Sequence, residues 1–235
     1  MSSLYAVVPA AGVGSRMQAD RPKQYLNISD KTILEHTLER LLAFDYFEKI
    51  IVSISAEDEY WPELNLNNHP KIEVCSGGKE RYDSVLNGLN HLRGMGLNDN
   101  VWVMVHDAAR PCITPADLDA LYQSKNSHGS LLGLQVRDTM KRTDAEGNVI
   151  KTVDRNNLWH ALTPQMATLG VLYEAITQCL TNNVNITDEA SALEYIGLSP
   201  KMISGDPSNI KVTRPDDLAL ADSYLNQALK ESAHV

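Results

Sequence analysis

Two cations follow a loop of very small residues near the start of the chain. The loop reads Pro-Ala-Ala-Gly-Val-Gly from Pro9, and the cations are Arg16 and Lys23. Backbone N–H groups in such a loop can approach a polyanion closely, and the cations can reach over it. The segment has neither the Lys-Ser/Thr ending of a P-loop nor the glycine spacing of a dinucleotide fingerprint. It indicates a nucleotide loop that holds a triphosphate, and hence nucleotidyl transfer.

A second glycine loop, Gly77-Gly78, leads into the start of a predicted helix that contains Ser84. Amides at a helix N-terminus can bind an anion or hydrogen-bond the edge of a base. For this loop, as for the first, an ordinary structural turn is the alternative interpretation.

An aspartate and an arginine follow a fully apolar predicted strand, residues 101–105, in the sequence His106-Asp107-Ala-Ala-Arg110. A carboxylate beside phosphates typically binds Mg²⁺, and Arg110 could contact a phosphorylated substrate. The alternative is that Asp107 and Arg110 simply pair across the turn. We interpret His106 as structural, because attack by a phosphate oxygen requires no proton to be removed.

A lysine interrupts the short apolar segment Asn209-Ile-Lys-Val-Thr213, which we predict to be a strand over residues 210–213. Lysine is costly to bury in such a strand, so Lys211 either points outward or meets an anion. The other three candidate loops favour the anion.

Strand and helix patterns alternate along the chain, which predicts right-handed βαβ units. The fold class is therefore α/β, with a doubly wound, mostly parallel, Rossmann-like sheet whose strand ends carry the ligand-binding loops. Thr32 and Thr114 are expected to cap two helices, and Thr213 with Asp216 to form a capping box for the last. The predicted strands are 6–8, 49–55, 71–75, 101–105, 130–136, 201–204 and 210–213, and helices are predicted within 32–42, 81–92, 168–180, 187–196 and 215–230 and from residue 115.

Residues 137–155 break this alternation, because β-branched residues flank an Asp-Ala-Glu-Gly-Asn turn. The pattern predicts a β-hairpin arm that projects from the sheet. A two-stranded arm is marginally stable alone, so we expect it to pack against a second subunit and form a homodimer. With no linker or internal repeat in the sequence, we predict a single domain over residues 1–235.

The composition restricts the class of partner. The 235 residues are 43% hydrophobic and carry a formal net charge of −9, which argues against nucleic acid or an anionic membrane as partner. Three widely spaced cysteines without a metal-ligand spacing predict reduced thiols in the cytoplasm. The chain enters its first predicted strand without room for a signal peptide, and no apolar run approaches the ~20 residues that span a bilayer.

These segments together resemble the 2-C-methyl-D-erythritol 4-phosphate cytidylyltransferase family over nearly the whole chain. Eight blocks carry the resemblance: Pro9-Ala-Ala-Gly-x-Gly-x-Arg-Met17, Pro22-Lys-Gln24, Gly77-Gly-x-x-Arg81-x-x-Ser84-Val85, His106-Asp-Ala-Ala-Arg-Pro111, Arg137-Asp-Thr-Met-Lys141, Trp159-x-x-x-Thr163-Pro-Gln165, Thr187-Asp-Glu-Ala190 and Asn209-Ile-Lys211-Val-Thr213.

The resemblance implies a nucleotidyltransferase fold and a Mg²⁺-dependent transfer of CMP from CTP to methylerythritol phosphate, with release of pyrophosphate, in non-mevalonate isoprenoid biosynthesis. The catalytic residues that it implies are Arg16, Lys23 and Lys211. The nucleotide-binding residues are Ala10, Ala11, Gly12, Gly14, Gly78, Arg81 and Ser84, with Gly78 and Ser84 on the cytosine. The acceptor-binding residues are Asp107, Arg110, Thr139, Arg155, Thr163 and Thr187, of which Thr139 and Arg155 would reach the neighbouring subunit's site.

Ser208 marks one departure from the family, since relatives often carry an acid there, and it leaves a role for Asp206 in metal binding open. Two other functions remain as alternatives. The chain could be a ribitol-5-phosphate cytidylyltransferase, which shares most of these loops. It could also be a catalytically silent nucleotide-binding regulator, although that class is expected to lose Arg16, Lys23 or Asp107, and all three are present.

Overall fold

The fold is known from a computed structural model that describes residues 3–12, 17 and 20–232. The strands in that part of the chain are β1 (Leu4–Pro9), β2 (Asn27–Ile28), β3 (Lys31–Thr32), β4 (Phe47–Ile54), β5 (Ile72–Ser76), β6 (Trp102–Val105), β7 (Ser130–Gln135), β8 (Met140–Thr143), β9 (Val149–Val153), β10 (Trp159–Thr168) and β11 (Lys201–Ser204). The helices are α1 (Ile33–Leu42), α2 (Arg81–Gly94), α3 (Pro115–Gln123), α4 (Leu169–Thr181), α5 (Glu189–Tyr195) and α6 (Asp216–Ser232).

Seven of these strands form one sheet in the order β11-β7-β10-β6-β1-β4-β5. Every neighbouring pair is parallel except the two that involve β10, which runs antiparallel to both β6 and β7. Two successive reversals restore the direction, so β7 and β11 run the same way as β6. Six strands therefore end at the same edge of the sheet, and the predicted mostly parallel α/β fold is confirmed.

Both faces of the sheet are covered, as the apolar first strand requires. Ala6 and Val8 pack on the face that carries α1 and α3, whereas Tyr5 and Val7 pack on the face that carries α2 and α4. Each fully buried aliphatic side chain contributes roughly 1.5–3 kcal/mol. A strand buried on both faces cannot alternate apolar with polar residues, which explains the continuous apolar run.

Side-chain caps fix the starts of several helices. Thr32 accepts a hydrogen bond from the Glu35 amide and Thr114 accepts one from the Asp117 amide, as predicted. The capping box expected from Thr213 and Asp216 is wrong, because the Asp217 carboxylate takes the Thr213 and Arg214 amides instead. Among the described helices, none is both long and apolar enough to cross a lipid bilayer.

Two elements differ from the sequence-based expectation. The ten-residue strand β10 was not predicted, and its ladder to β7 is irregular between Ala161 and Gln165, where Pro164 has no N–H to donate. The strand predicted over residues 210–213 does not form. The Val212 amide donates to the Ala109 carbonyl at 2.8 Å, so this segment pairs with a loop rather than with a strand.

The projecting arm is confirmed as a hairpin. β8 and β9 pair antiparallel in a separate two-stranded sheet, in register from Met140 opposite Val153. Val149 and Ile150 near its tip are 61% and 62% exposed. The packing of this arm against a second subunit stays a prediction.

Candidate active site

A cleft of about 360 Å³ opens at the edge where the parallel strands end. It brings together all four segments singled out in the sequence, although they are up to two hundred residues apart. The predicted site residues that line it are Ala10, Ala11, Gly12, Lys23, Gly78, Arg81, Ser84, Asp107 and Lys211.

The first loop continues β1 into the cleft and is held by two neighbours. The buried Gln24 amide donates to the Ala10 carbonyl at 2.6 Å. A Cβ placed on Gly77 would lie 2.3 Å from the Ala11 Cβ, so only glycine allows the two glycine loops to approach this closely. The other predicted residues of this loop, Gly14 and Arg16, lie outside the described residues.

The second glycine loop is shaped by Ser84. The Ser84 hydroxyl accepts the Gly78 amide at 3.0 Å, and the side chain is buried in the first turn of α2. In this arrangement Ser84 supports the turn that carries Gly78, and both residues line the cleft together with Ala11.

Lys23 also lines the cleft. It begins a short 3₁₀ helix, Lys23–Tyr25, and its ammonium donates to the Val212 carbonyl at 3.0 Å. The Tyr25 hydroxyl donates to Asp58 at 2.9 Å and anchors the same segment to the loop after β4. The backbone that carries Lys23 is thus fixed on two sides.

Asp107 lies at the centre of the charged part of the cleft, directly after β6. Its Oδ1 is 2.8 Å from the Arg81 Nε, and its Oδ2 is 2.8 Å from the Lys211 Nζ and 3.4 Å from the Arg110 Nε. Burial alone would raise the pKa of Asp107, but Arg81, Lys211 and Arg110 outweigh it and hold that pKa far below its usual range. The carboxylate is therefore ionised at every physiological pH.

Arg81 also contacts a second carboxylate that the sequence analysis did not single out. Its two terminal nitrogens donate to Glu189 at 2.6 and 3.1 Å. Glu189 is the first residue of α5 and is only 1% exposed. Burial raises the pKa of Glu189, while the Arg81 guanidinium opposes that rise. An acid in the first turn of a helix is so common that its position alone gives no functional signal.

His106 and Thr163 support the Asp107 loop from beneath. The His106 Nε2 lies 3.2 Å from the Arg110 carbonyl, so it must carry the proton, and Nδ1 then accepts from the Thr163 hydroxyl. That hydroxyl in turn accepts the Asp107 amide at 3.0 Å. Burial lowers the pKa of His106 to about 4, so it stays neutral. Thr163 is buried and is not among the residues that line the cleft, and its contact with substrate stays a prediction.

Arg110 lies below the cleft and joins Asp107 to the segment that carries Lys211. It is buried, its Nη1 donates to the Asn209 carbonyl at 2.8 Å, and burial lowers its pKa. The Asn209 side chain donates to the Thr163 carbonyl at 2.9 Å. Lys211 meets the predicted anion, which here is Asp107, from an irregular segment rather than from a strand.

Other predicted site residues are not among those that line the cleft of their own chain. Thr187 is exposed before α5, with its hydroxyl 3.5 Å from Asp188. On the arm, Thr139 is exposed, and Arg155 is exposed and donates to the Arg137 carbonyl. Asp206 does not face the cleft either, because its carboxylate accepts the Ser208 amide in a local turn.

Comparison with known proteins assigns this arrangement to a family. Residues 4–227 match the IspD model, described as 2-C-methyl-D-erythritol 4-phosphate cytidylyltransferase. A protein of that name from Vibrio atlanticus is 55% identical over 229 residues, covering 97% of each chain. The chain belongs to the 2-C-methyl-D-erythritol 4-phosphate cytidylyltransferase family.

Solved structures agree with this assignment. A structure titled 4-diphosphocytidyl-2C-methyl-D-erythritol synthase superposes with a TM-score of 0.84 at 34% identity, covering 96% of this chain and all of the other. A cytidylyltransferase of the family from Francisella tularensis gives a TM-score of 0.83 at 39% identity, covering 95% and 100%. The predicted family, nucleotidyltransferase fold and cytidylyltransferase activity are confirmed.

The cytidylyltransferase cleft offers Mg²⁺ few protein ligands. Both oxygens of Asp107 are engaged by cations, and no group of three or more metal-ligating side chains occurs among residues 3–12, 17 and 20–232. As arranged, Asp107 does not fit the role of metal ligand that the sequence suggested. Mg²⁺ commonly binds enzymes through substrate phosphates and keeps several waters, a mode that needs no such cluster.

Proposed function

We propose that this cytidylyltransferase transfers CMP from CTP to 2-C-methyl-D-erythritol 4-phosphate in the cleft at the strand ends. The observation that carries the assignment of roles is the division of the cleft into two parts. One part, where Ala11, Gly12 and Gly78 lie, is lined by residues with little side-chain bulk, which lets backbone groups approach a base closely. The other, around Asp107 and Lys211, is densely charged, as a phosphorylated acceptor requires.

In the proposed reaction an oxygen of the acceptor phosphate attacks the α-phosphorus of CTP. A new phosphorus–oxygen bond forms, the bond from the α-phosphorus to the bridging oxygen breaks, and pyrophosphate leaves with the electron pair. The attacking oxygen carries no proton, so the reaction needs no general base. This agrees with the burial of His106 as a neutral imidazole.

Cations must stabilise the charge that builds on the five-coordinate phosphorus. We assign this role to Lys23, whose ammonium can exchange the Val212 carbonyl for a phosphate oxygen, and to Arg16, which lies outside the described residues. Lys211 is 36% exposed beside Asp107 and is assigned to the acceptor phosphate. Mg²⁺, bound through the triphosphate, would neutralise part of its charge.

The role of Asp107 follows from its position and charge. It is a fixed anion among three cations, and its remaining acceptor capacity can bind hydroxyl groups of a polyol. We therefore assign Asp107 to the sugar-alcohol part of the acceptor, with Thr187 at its rim.

The projecting arm supports a homodimer. Thr139 and Arg155 are exposed and do not line the cleft of their own chain, and the apolar side chains of Val149 and Ile150 are exposed. We propose that each arm completes the acceptor site of the other subunit with these two polar residues. Cytoplasmic localisation is proposed from the three free cysteines, Cys75, Cys112 and Cys179.

Release of pyrophosphate from CTP and Mg²⁺ tests the function, with methylerythritol 4-phosphate and ribitol 5-phosphate offered separately. Release with the first acceptor alone is expected. Release with ribitol 5-phosphate alone would keep the mechanism and change the substrate. Binding of CTP without release in either mixture would support a regulator instead, and omission of Mg²⁺ tests the cofactor.

A further inference from the structure

Glu189 is a buried carboxylate, so the cost of burying its charge must be compensated by other interactions. Removing an ionised carboxylate from water costs several kcal/mol unless a partner and hydrogen bonds compensate. Both oxygens of Glu189 accept hydrogen bonds from the terminal nitrogens of Arg81, at 2.6 and 3.1 Å. This forked contact is the most specific geometry available between a guanidinium and a carboxylate.

The same guanidinium has a third contact, and that contact lies in the cleft. Its Nε donates to the Asp107 Oδ1 at 2.8 Å. A guanidinium is planar and rigid, so fixing its two terminal nitrogens on Glu189 also fixes the direction of the Nε–H bond. The orientation of Glu189 thus determines how Arg81 holds Asp107.

Glu189 itself is held by a support that does not depend on Arg81. The buried Gln165 of β10 accepts the Ala190 amide at 2.7 Å and donates to Asp188 at 2.9 Å. Asp188 caps α5 by accepting the Ser191 amide at 2.9 Å. The start of α5 is therefore fixed to the central sheet, and Glu189 is a rigid reference point for Arg81.

Charge gives a second reason for the pair. Asp107 faces Arg81, Arg110 and Lys211, and these four groups alone would carry a net charge of +2. Glu189 forms an ion pair with Arg81 and so reduces the net charge of the group to +1. Arg81 can then orient Asp107 without competing with Lys211 for the anionic acceptor.

We propose that Glu189 is a positioning residue for the transfer reaction, acting through Arg81 to orient Asp107 toward the acceptor. The proposal rests on the assignment of Asp107 to the acceptor. It also revises the predicted role of Arg81, from nucleotide contact to support of Asp107. Loss of the two hydrogen bonds from Arg81 to Glu189 should weaken binding of the acceptor and leave binding of CTP unchanged.

The kinetic test compares E189Q with E35Q. Glu35 is a matched control, because it is also a buried glutamate in the first turn of a helix, and it accepts the amides of Thr32 and Asn65, none of which lines the cleft. In E189Q the KM for the acceptor should rise about tenfold or more, since misplacement of a substrate-orienting group by an ångström can cost up to about a hundredfold. The KM for CTP should stay within about twofold, and E35Q should keep both constants.

R81K tests the fork directly, since it keeps the charge of Arg81 and removes the planar geometry. It should reproduce the rise in acceptor KM, and R81K/E189Q should show less than the sum of the two effects. An unchanged acceptor KM in E189Q, with a lowered melting temperature, would show a merely structural role and overturn the proposal. An equal rise in the KM for CTP would overturn it as well.

A spectroscopic readout separates this proposal from the proposed function. The Nε–H proton of Arg81, assigned by its absence in R81K, should exchange slowly with solvent in the wild-type protein and rapidly in E189Q. Slow exchange in both proteins would overturn the positioning role even if turnover is normal. The exchange could also be slow in the wild type and fast in E189Q while the protein does not use methylerythritol phosphate. That result would support the positioning role of Glu189 and reject the proposed acceptor.

Discussion

The cleft and the arm differ in how completely one chain determines their geometry. In the cleft, Asp107 pairs with Arg81, Arg110 and Lys211, and both arginines are held by a further contact within the chain. In the arm, β8 and β9 form a sheet of their own, and Ile150 remains 62% exposed. The cleft is therefore organised before any ligand or partner binds, whereas the proposed role of the arm requires a second copy.

This difference predicts two kinds of effect. Changes in the cleft should act on the chemical step or on the stability of its support, because its groups are preorganised. Changes in the arm should act on acceptor binding and assembly, and should leave the stability of the fold nearly unchanged.

Lys23→Ala should give the largest effect. Loss of a cation that stabilises the transition state should lower kcat by about 10²–10³-fold, or roughly 2.7–4 kcal/mol, with a much smaller rise in the KM for CTP. Steady-state pyrophosphate release measures both constants, with Lys49→Ala as the control because Lys49 pairs with Glu73 outside the cleft. Comparable changes in kcat and KM would contradict the transition-state role.

His106→Gln should change how stability depends on pH. Because the pKa of His106 falls from 6.5 in the unfolded chain to about 4 in the fold, the unfolded chain binds more protons between these values. The contribution of neutral His106 to the free energy of unfolding is fully present above pH 6.5. It is lost as the pH falls toward 4, and the total loss is about 3 kcal/mol. Denaturant titrations from pH 7 to 4 should show this loss in the wild type and a smaller one in the variant. An identical dependence of the free energy of unfolding on pH in both proteins would refute this prediction.

Arg155→Ala should raise the KM for the acceptor about tenfold, since a charge-assisted hydrogen bond is worth roughly 1.5–3 kcal/mol. The KM for CTP should not change. Arg142→Ala, an exposed arginine on β8, is the matched control. An unchanged acceptor KM for Arg155→Ala would remove the arm from the site.

Ile150→Ser should have the smallest effect on the fold. An exposed substitution of this kind changes the free energy of unfolding by less than about 0.5 kcal/mol. Sedimentation should nevertheless show weaker dimerisation, together with a higher KM for the acceptor. A dimer of unchanged stability would show that this face of the arm is not the interface.

The fold could be predicted for those elements whose own residues form a recognisable pattern. β6 is wholly apolar because helices cover both of its faces, and the arm is recognisable from its turn and β-branched residues. β10 was missed because Thr163 and Gln165 are polar residues buried for the hydrogen bonds that they make elsewhere. Residues 210–213 have strand-like composition, but their backbone pairs with the Ala109 loop.

The candidate site divides in the same way. From the sequence alone, the nucleotide loop, the cations Lys23 and Lys211, and Asp107 could be named as candidates, because small residues and charges that follow apolar strands are typical of a ligand site at the strand ends. Which of these charges pair depends on the packing of the whole fold. Glu189 and Arg81 are 108 residues apart, and each is an ordinary first residue of a helix until the fold brings the two helix starts together beside Asp107. Local patterns encode what a segment prefers, whereas an ion pair depends on distances that only the packed sheet sets.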